Sequence, residues 1–168
     1  MQDGWTANGP GRCTTHVLNA DGQVVYGQGK GVDLNRCFEF GFSINNTRRN
    51  YTGNRPLGAI EAVALKSFVQ SVYSSEGVNI LLDVHGWTQQ LIAKNPHGKL
   101  TQFFANRFPQ NRLTYNGAHG YLTEWSQSIG FDSLLFEFPR DVRNHATLVQ
   151  KQYDAKWIQC VVDLLNRY

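Results

Sequence analysis

Two nearly continuous apolar runs constrain the fold most: Val78 to Val84 (VNILLDV) and Ser133 to Phe138 (SLLFEF). Each has the length and composition of a strand, and the first, with almost no polar alternation, fits a strand buried on both faces. Ala59 to Ser75 follows a different period. It sets Ile60, Val63, Ala64, Phe68, Val69 and Val72 along one side of a 3.6-residue repeat, which predicts a helix with that face buried. Lys99 to Phe108 and Tyr121 to Ile129 also read as helices. A last helix, Ala146 to Asn166, directs Leu148, Trp157, Ile158, Val161, Leu164 and Leu165 toward a core. Residues 1 to 58 are rich in Gly, Asn, Thr and Arg; there the pattern predicts a hairpin, Thr14 to Leu18 against Gln23 to Tyr26 around Ala20-Asp21-Gly22, among long loops.

Helix, buried strand, helices, buried strand, helix is the order of an α/β domain with a largely parallel sheet and helices on its faces. With 168 residues the chain is long enough for one such domain and short for two. A hydrophobic fraction of 41% and a charged fraction of 17%, without low-complexity tracts, are those of an ordinary globular chain. The formal charge of +3 is small and spread out, which argues against a nucleic-acid surface. No apolar run approaches the ~20 residues a membrane helix needs, and MQDGWTANGPGR holds no apolar stretch of a signal peptide. Cys13, Cys37 and Cys160 fit none of the paired zinc spacings, and a Cys13–Cys37 bridge between neighbouring loops is open.

In an open α/β sheet, ligands gather at the carboxyl edge of the strands, so the residues there carry the functional information. The first strand runs into His85, followed by Gly86-Trp87, with Asp83 placed to orient the imidazole. The second carries Glu137 between Phe136 and Phe138. A carboxylate in that setting is a candidate general base or acid; the structural alternative is an ion pair with Arg140 or Arg143. The loop GVDLNRCFEF, Gly31 to Phe40, collects an acid, an amide, a guanidinium and a thiol. Gly-x-Ser-x-Gly is absent, GQGKGVD lacks P-loop spacing, and no local signature marks Cys37 as a thiol nucleophile served by His85.

Taken in order, GVDLNR, NYTGNRPLGAIEAVAL, LLDVHGW and GYLTEWSQSIGFDSLLFEFPR resemble the later two-thirds of a zinc carboxypeptidase of the carboxypeptidase A (M14) family. The resemblance begins at Gln2-Asp3-Gly4 and covers almost the whole chain. It implies a three-layer α/β sandwich with a mixed, mostly parallel sheet and helices on both faces, formed by residues 1–168 as a single, partial catalytic domain. It implies hydrolysis of the carboxyl-terminal residue of a peptide, or of a cell-wall peptide stem, by metal-activated water, in a secreted or cell-envelope setting. By position, Asn35 and Arg36 match the pair that holds the substrate's terminal carboxylate, a role suited to a guanidinium fork beside a neutral amide. His85 matches the third zinc ligand. Glu137 matches the general acid/base, and Arg12 the guanidinium that stabilises the oxyanion. Tyr115 matches the tyrosine that closes over substrate, with Tyr121 as its competitor, and Thr123 falls near the specificity pocket.

The departures are as specific. The family's first two zinc ligands come from His-x-x-Glu, and none of His16, His85, His97, His119 or His145 has Glu three residues on. Cys37 stands where Asn is usual, and Gly58-Ala59 where Ser-Glu is common. The implied partner is therefore either a peptide that is cleaved, once one zinc ion has its missing ligands, or a peptide carboxylate that is bound without chemistry.

Overall fold

The computed structural model describes residues 13, 14, 16–25, 31–47, 50–115, 120–142 and 144–167. The chain divides into two compact units, Met1–Ser75 with Gly117–Gly130, and Glu76–Asn116 with Phe131–Tyr168.

In the first unit the expected hairpin is present but short: β1 (Val17–Leu18) pairs antiparallel with β2 (Val24–Val25). Its turn is held by the Asn19 side chain, whose Oδ1 accepts from the amides of Asp21 at 3.0 Å and Gln23 at 2.8 Å. A single 3-10 turn, Leu34–Arg36, precedes helix α1 (Ile60–Ser71). Val32, Cys37, Ala59 and Ala62 form the unit's core, with Val17, Leu34 and Leu57 against it.

The helix is where expected, but its face is not. Ala62 and Val69 are buried and Leu65 and Lys66 half-buried, whereas Ile60, Val63, Phe68 and Val72 are exposed. Of the expected stripe only Val69 faces inward, and the rest of the inward side is Ala62, Leu65 and Lys66. IEAVALKSFVQS is apolar around most of its circumference, so periodicity alone does not choose between the two faces, and a core of small side chains selects Ala62. Helix α2 (Leu122–Ser128) completes the unit, with Trp125 buried and stacked on Phe38 at 5.5 Å between ring centroids.

The second unit holds a four-stranded mixed sheet in the order Ile80–Gly86 (β3), Asp132–Phe138 (β6), Gln90–Ile92 (β4) and Arg112–Thr114 (β5). Strands β3 (Ile80–Gly86) and β6 (Asp132–Phe138) are the two apolar runs, paired in parallel over their whole length. Between them in sequence lie β4 (Gln90–Ile92), antiparallel to β6, and β5 (Arg112–Thr114), parallel to β4. Neither three-residue strand was expected; both are too short to show a period, and Gln90 and Arg112 are polar. The first run is also not buried on both faces. Among the described residues β3 is an edge strand, half-buried through most of its length, with Val84 44% exposed.

One face of the sheet carries Ile80, Leu82, Leu134, Phe136 and Phe138, which pack on helix α3 (Lys99–Arg107) and on the last helices. An aromatic cluster fixes this layer: Phe136 lies 4.6 Å from Trp157 and 4.8 Å from Phe108, ring to ring. Each such ring buries a large apolar area, and each pair adds about 0.5–1.5 kcal/mol beyond it. The expected single helix Ala146 to Asn166 is instead two, α4 (His145–Gln150) and α5 (Tyr153–Leu165). Asn144 caps the first by accepting from Thr147 N at 2.9 Å, and Gln152, with φ at 57°, breaks the path before the second. Of the side chains expected in the core, Leu164 is buried and Trp157 packs against the cluster, while Ile158 and Leu165 are 62% and 73% exposed. No helix among the described residues is long and apolar enough to cross a membrane.

Candidate functional site

In the first unit, the loop at Gly31 to Phe40 is built by its own acid. Asp33 Oδ1 accepts from Asn35 N at 3.2 Å and so starts the Leu34–Arg36 turn, which makes Asp33 a brace. Asn35 Oδ1 accepts from Leu122 N at 2.9 Å, supplying a cap that α2's own N-cap residue, Tyr121, does not give. Because that oxygen serves as acceptor, the amide's two N–H donors lie at its other end. The Arg36 guanidinium lies 3.9 Å over the Tyr121 ring, and its Nη1 donates to Asn35 O at 2.6 Å. Both residues thereby have a defined orientation.

Gly120 makes this approach possible. It has φ of 72°, its carbonyl accepts from Phe38 N at 3.0 Å, and a Cβ placed there would stand 2.4 Å from Arg36 O. This contact was not visible in the sequence. Thr123 and Glu124, beside it on α2, are buried.

Cys37 is fully buried, its Sγ 3.3 Å from Leu34 O. Burial, reinforced by the charges of Asp33 and Glu61, pushes its thiol up to about 12. It stays a neutral thiol at ordinary pH and is no nucleophile. The open Cys13–Cys37 bridge is not formed, and Cys13 instead bridges Asp33 through its backbone. Arg12, the expected oxyanion partner, lies outside the described residues. His16 had no expected role, yet it is buried at the start of α1, its Nε2 3.2 Å from Glu61 Oε2 and 3.4 Å from Ile60 N.

In the second unit, β3 and β6 bring two expected residues side by side. The parallel register pairs His85 with Glu137 and Val84 with Phe136, so Asp83, His85 and Glu137 share the face opposite the aromatic layer. His85 Nε2 is 2.7 Å from Asp83 Oδ1. A carboxylate accepts, so Nε2 carries the proton and Nδ1 is left with the lone pair. Glu137 Oε2 accepts a long bond, 3.4 Å, from Thr88 N; it forms no ion pair with Arg140, and Arg143, the other expected partner, lies outside the described residues. Its backbone is held from behind by Asn111, whose Nδ2 donates to Glu137 O at 2.9 Å and reaches Gln90 O at 3.5 Å. Asn111 is buried and was missed by sequence reasoning, because its partners lie 21 and 26 residues away. Tyr115 follows β5 and is 61% exposed, whereas Tyr121 is engaged with Arg36.

A metal at this face would have His85 as a ligand, through Nδ1. Structural and catalytic zinc sites take about three or four protein ligands, and no group of three His, Cys, Asp or Glu that could hold a metal ion occurs among the described residues. The residues present do not by themselves fit a zinc ion.

An α/β fold with a mostly parallel mixed sheet, and an imidazole and a carboxylate in register near its carboxyl edge, defines the class. The zinc carboxypeptidase family (peptidase M14) matches residues 4–155, and the chain belongs to that family. It is 33% identical over 168 residues to bacteriocin BCN5 of Clostridium perfringens, a match covering 99% of this chain and 17% of the bacteriocin. Its fold is similar to that of the murein-tripeptide amidase MpaA from Escherichia coli O157, with a TM-score of 0.60 at 18% identity, over 81% of this chain and 60% of the amidase. The chain thus spans less than two-thirds of either relative.

Proposed function

We propose that this chain serves a peptidase whose substrate is a murein peptide with a free terminal carboxylate. The observation that carries the reading is the register of His85 and Glu137 on parallel strands, with Asp83 orienting the imidazole. Packing alone does not require an imidazole and a carboxylate beside each other on a sheet face. In this reading Glu137 takes a proton from the attacking water and returns one to the leaving amine. Asn35 and Arg36 hold the terminal carboxylate; Arg12 stabilises the oxyanion and Tyr115 closes over the substrate, both on family position alone. A murein substrate is supported by the amidase of similar fold, whose name gives a murein tripeptide as what it acts on.

When bound, zinc would supply an activated water at neutral pH. The sequence has no His-x-x-Glu, and in this reading the ligands that motif would give come from other polypeptide, in a longer protein or a partner.

A second reading, a carboxylate-binding module without hydrolysis, is favoured by one observation: Asn35 and Arg36 are oriented by Leu122 and Tyr121 with no metal involved. One experiment separates the two. The chain is assayed alone, and joined to a segment bearing His-x-x-Glu, with zinc and a murein tripeptide, and its binding to free and amidated peptide is measured. The joined form is expected to release the terminal residue, and its Glu137→Gln variant is not. Absence of both hydrolysis and stoichiometric zinc in the joined form overturns the peptidase. Equal affinity for free and amidated peptide overturns the binding module.

A further inference from the structure

The second unit carries a cleft of about 510 Å³ lined by one side of α3 and the end of α5. Its chemistry is cationic. Lys99, Arg107 and Arg167 line it together with the amide of Asn106, and KLTQFFANR, the whole of α3, contains no acid.

The two guanidiniums are gathered on a single ring. Arg107 Cζ stands 3.6 Å from the centroid of the buried Phe103 ring, and Arg167 Cζ stands 4.8 Å from the same centroid. Cation–π attraction holds each, but two like charges over one ring repel unless an anion lies between or beside them. The available carboxylate is already engaged: Asp163 Oδ2 takes Arg107 Nη2 at 3.0 Å, and its Oδ1 takes Gln159 Nε2 at 2.8 Å. Arg167 acts on the same carboxylate through its charge without an ion-pair contact, and Lys99 makes no ion pair among the described residues.

We propose that this cleft binds a phosphate-class oxyanion, monoester or diester. A carboxylate is met in full by one guanidinium fork. Two guanidiniums on one ring, with a lysine and a neutral amide lining the same cleft, suit a tetrahedral group that offers several oxygens. This site lies in the helix layer and does not rest on the peptidase reading.

The test is an NMR titration of the full chain with inorganic phosphate and, separately, dimethyl phosphate, at ionic strength held constant with sodium chloride. Saturable shifts are expected at Phe103, Arg107 and Arg167, with affinity about fivefold weaker in Arg167→Gln and in Lys99→Gln. Both substituted residues are exposed, and unchanged melting temperatures would show that the variants are folded. Equal response to both probes assigns a phosphodiester chain as the ligand, and response to inorganic phosphate alone assigns a free or terminal phosphate. Shifts that do not saturate, or that survive both substitutions unchanged, overturn the site.

Discussion

His85 and Glu137 are register partners on adjacent parallel strands, and both stand on the sheet face opposite the aromatic layer. Asp83, two residues before His85, is on that face as well, and its Oδ1 lies 2.7 Å from His85 Nε2. A strand places alternate residues on one side, so the spacing Asp-Val-His is sufficient to bring the carboxylate under the ring. The pairing with Glu137 depends on β6 lying in parallel register, which a one-residue slip would abolish.

Asp83 therefore sets the tautomer of His85. In nitrogen-15 spectra the neutral ring of the wild-type chain should carry its proton on Nε2, and Asp83→Ala should give a mixture of tautomers together with a loss of about 1 kcal/mol in stability. An unchanged tautomer in Asp83→Ala would show that another group orients the ring. In a zinc-completed form the same substitution should weaken metal affinity by roughly 10–100-fold.

Gly120→Ala tests whether the Asn35–Arg36 turn depends on close backbone approach. The added Cβ would meet Arg36 O at 2.4 Å in a residue with φ of 72°, so both contact and conformation oppose it. A loss of about 2–3 kcal/mol is expected, read as a melting temperature lower by roughly 5–10 °C. The Leu122 amide should also lose hydrogen-exchange protection as Asn35 Oδ1 is displaced.

The three cysteines give a direct check on the first unit's core. In the folded chain at pH 8, an alkylating agent should label Cys13, which is half-buried, before Cys37 and Cys160, which are buried. The Cys37 thiol binds its proton more tightly when folded, at about 12 against 9.0 for an unperturbed thiol, so its contribution to stability is unchanged below about pH 9 and is lost as pH rises above it toward about 12. The expected slope is roughly 1.4 kcal/mol per pH unit over that window. Cys37→Ala should be less stable at neutral pH, through the cavity, and should lack the alkaline slope.

The two strands that carry the site were legible because each is a seven-residue apolar segment, and their ends pointed to His85 and Glu137. The family resemblance marked Asn35 and Arg36. What remained hidden lies in contacts between distant residues. Nothing local shows that Asn111 holds Glu137, that Gly120 seats against Arg36, or that Arg107 and Arg167 share the ring of Phe103. The face of α1 was misread because Ala62 has no bulk to announce itself, although its small size lets the helix sit on Cys37 and Val32. The break at Lys151-Gln152 was also hidden, since neither residue is a helix breaker by composition.

Asn111 connects these points to function, because it fixes the main chain at Glu137 from a buried position. Its Nδ2 donates to Glu137 O at 2.9 Å, while its buried Oδ1 has no hydrogen-bond partner. Asn111→Asp keeps the shape but replaces the donor with an acceptor facing a carbonyl, and buries a charge. The variant should lose about 2–3 kcal/mol at pH 7, and less at pH 4, where a protonated carboxyl can donate to Glu137 O. Urea unfolding at the two pH values checks this. Asn111→Ala should also lose about 1–3 kcal/mol, but without the difference between pH 7 and pH 4 relative to wild type, because it introduces no titrating group. If Asn111→Asp were as stable as wild type at pH 7, the bond to Glu137 would carry no weight, and the position of that carboxylate would have to be set by Thr88 and the β3–β6 register alone.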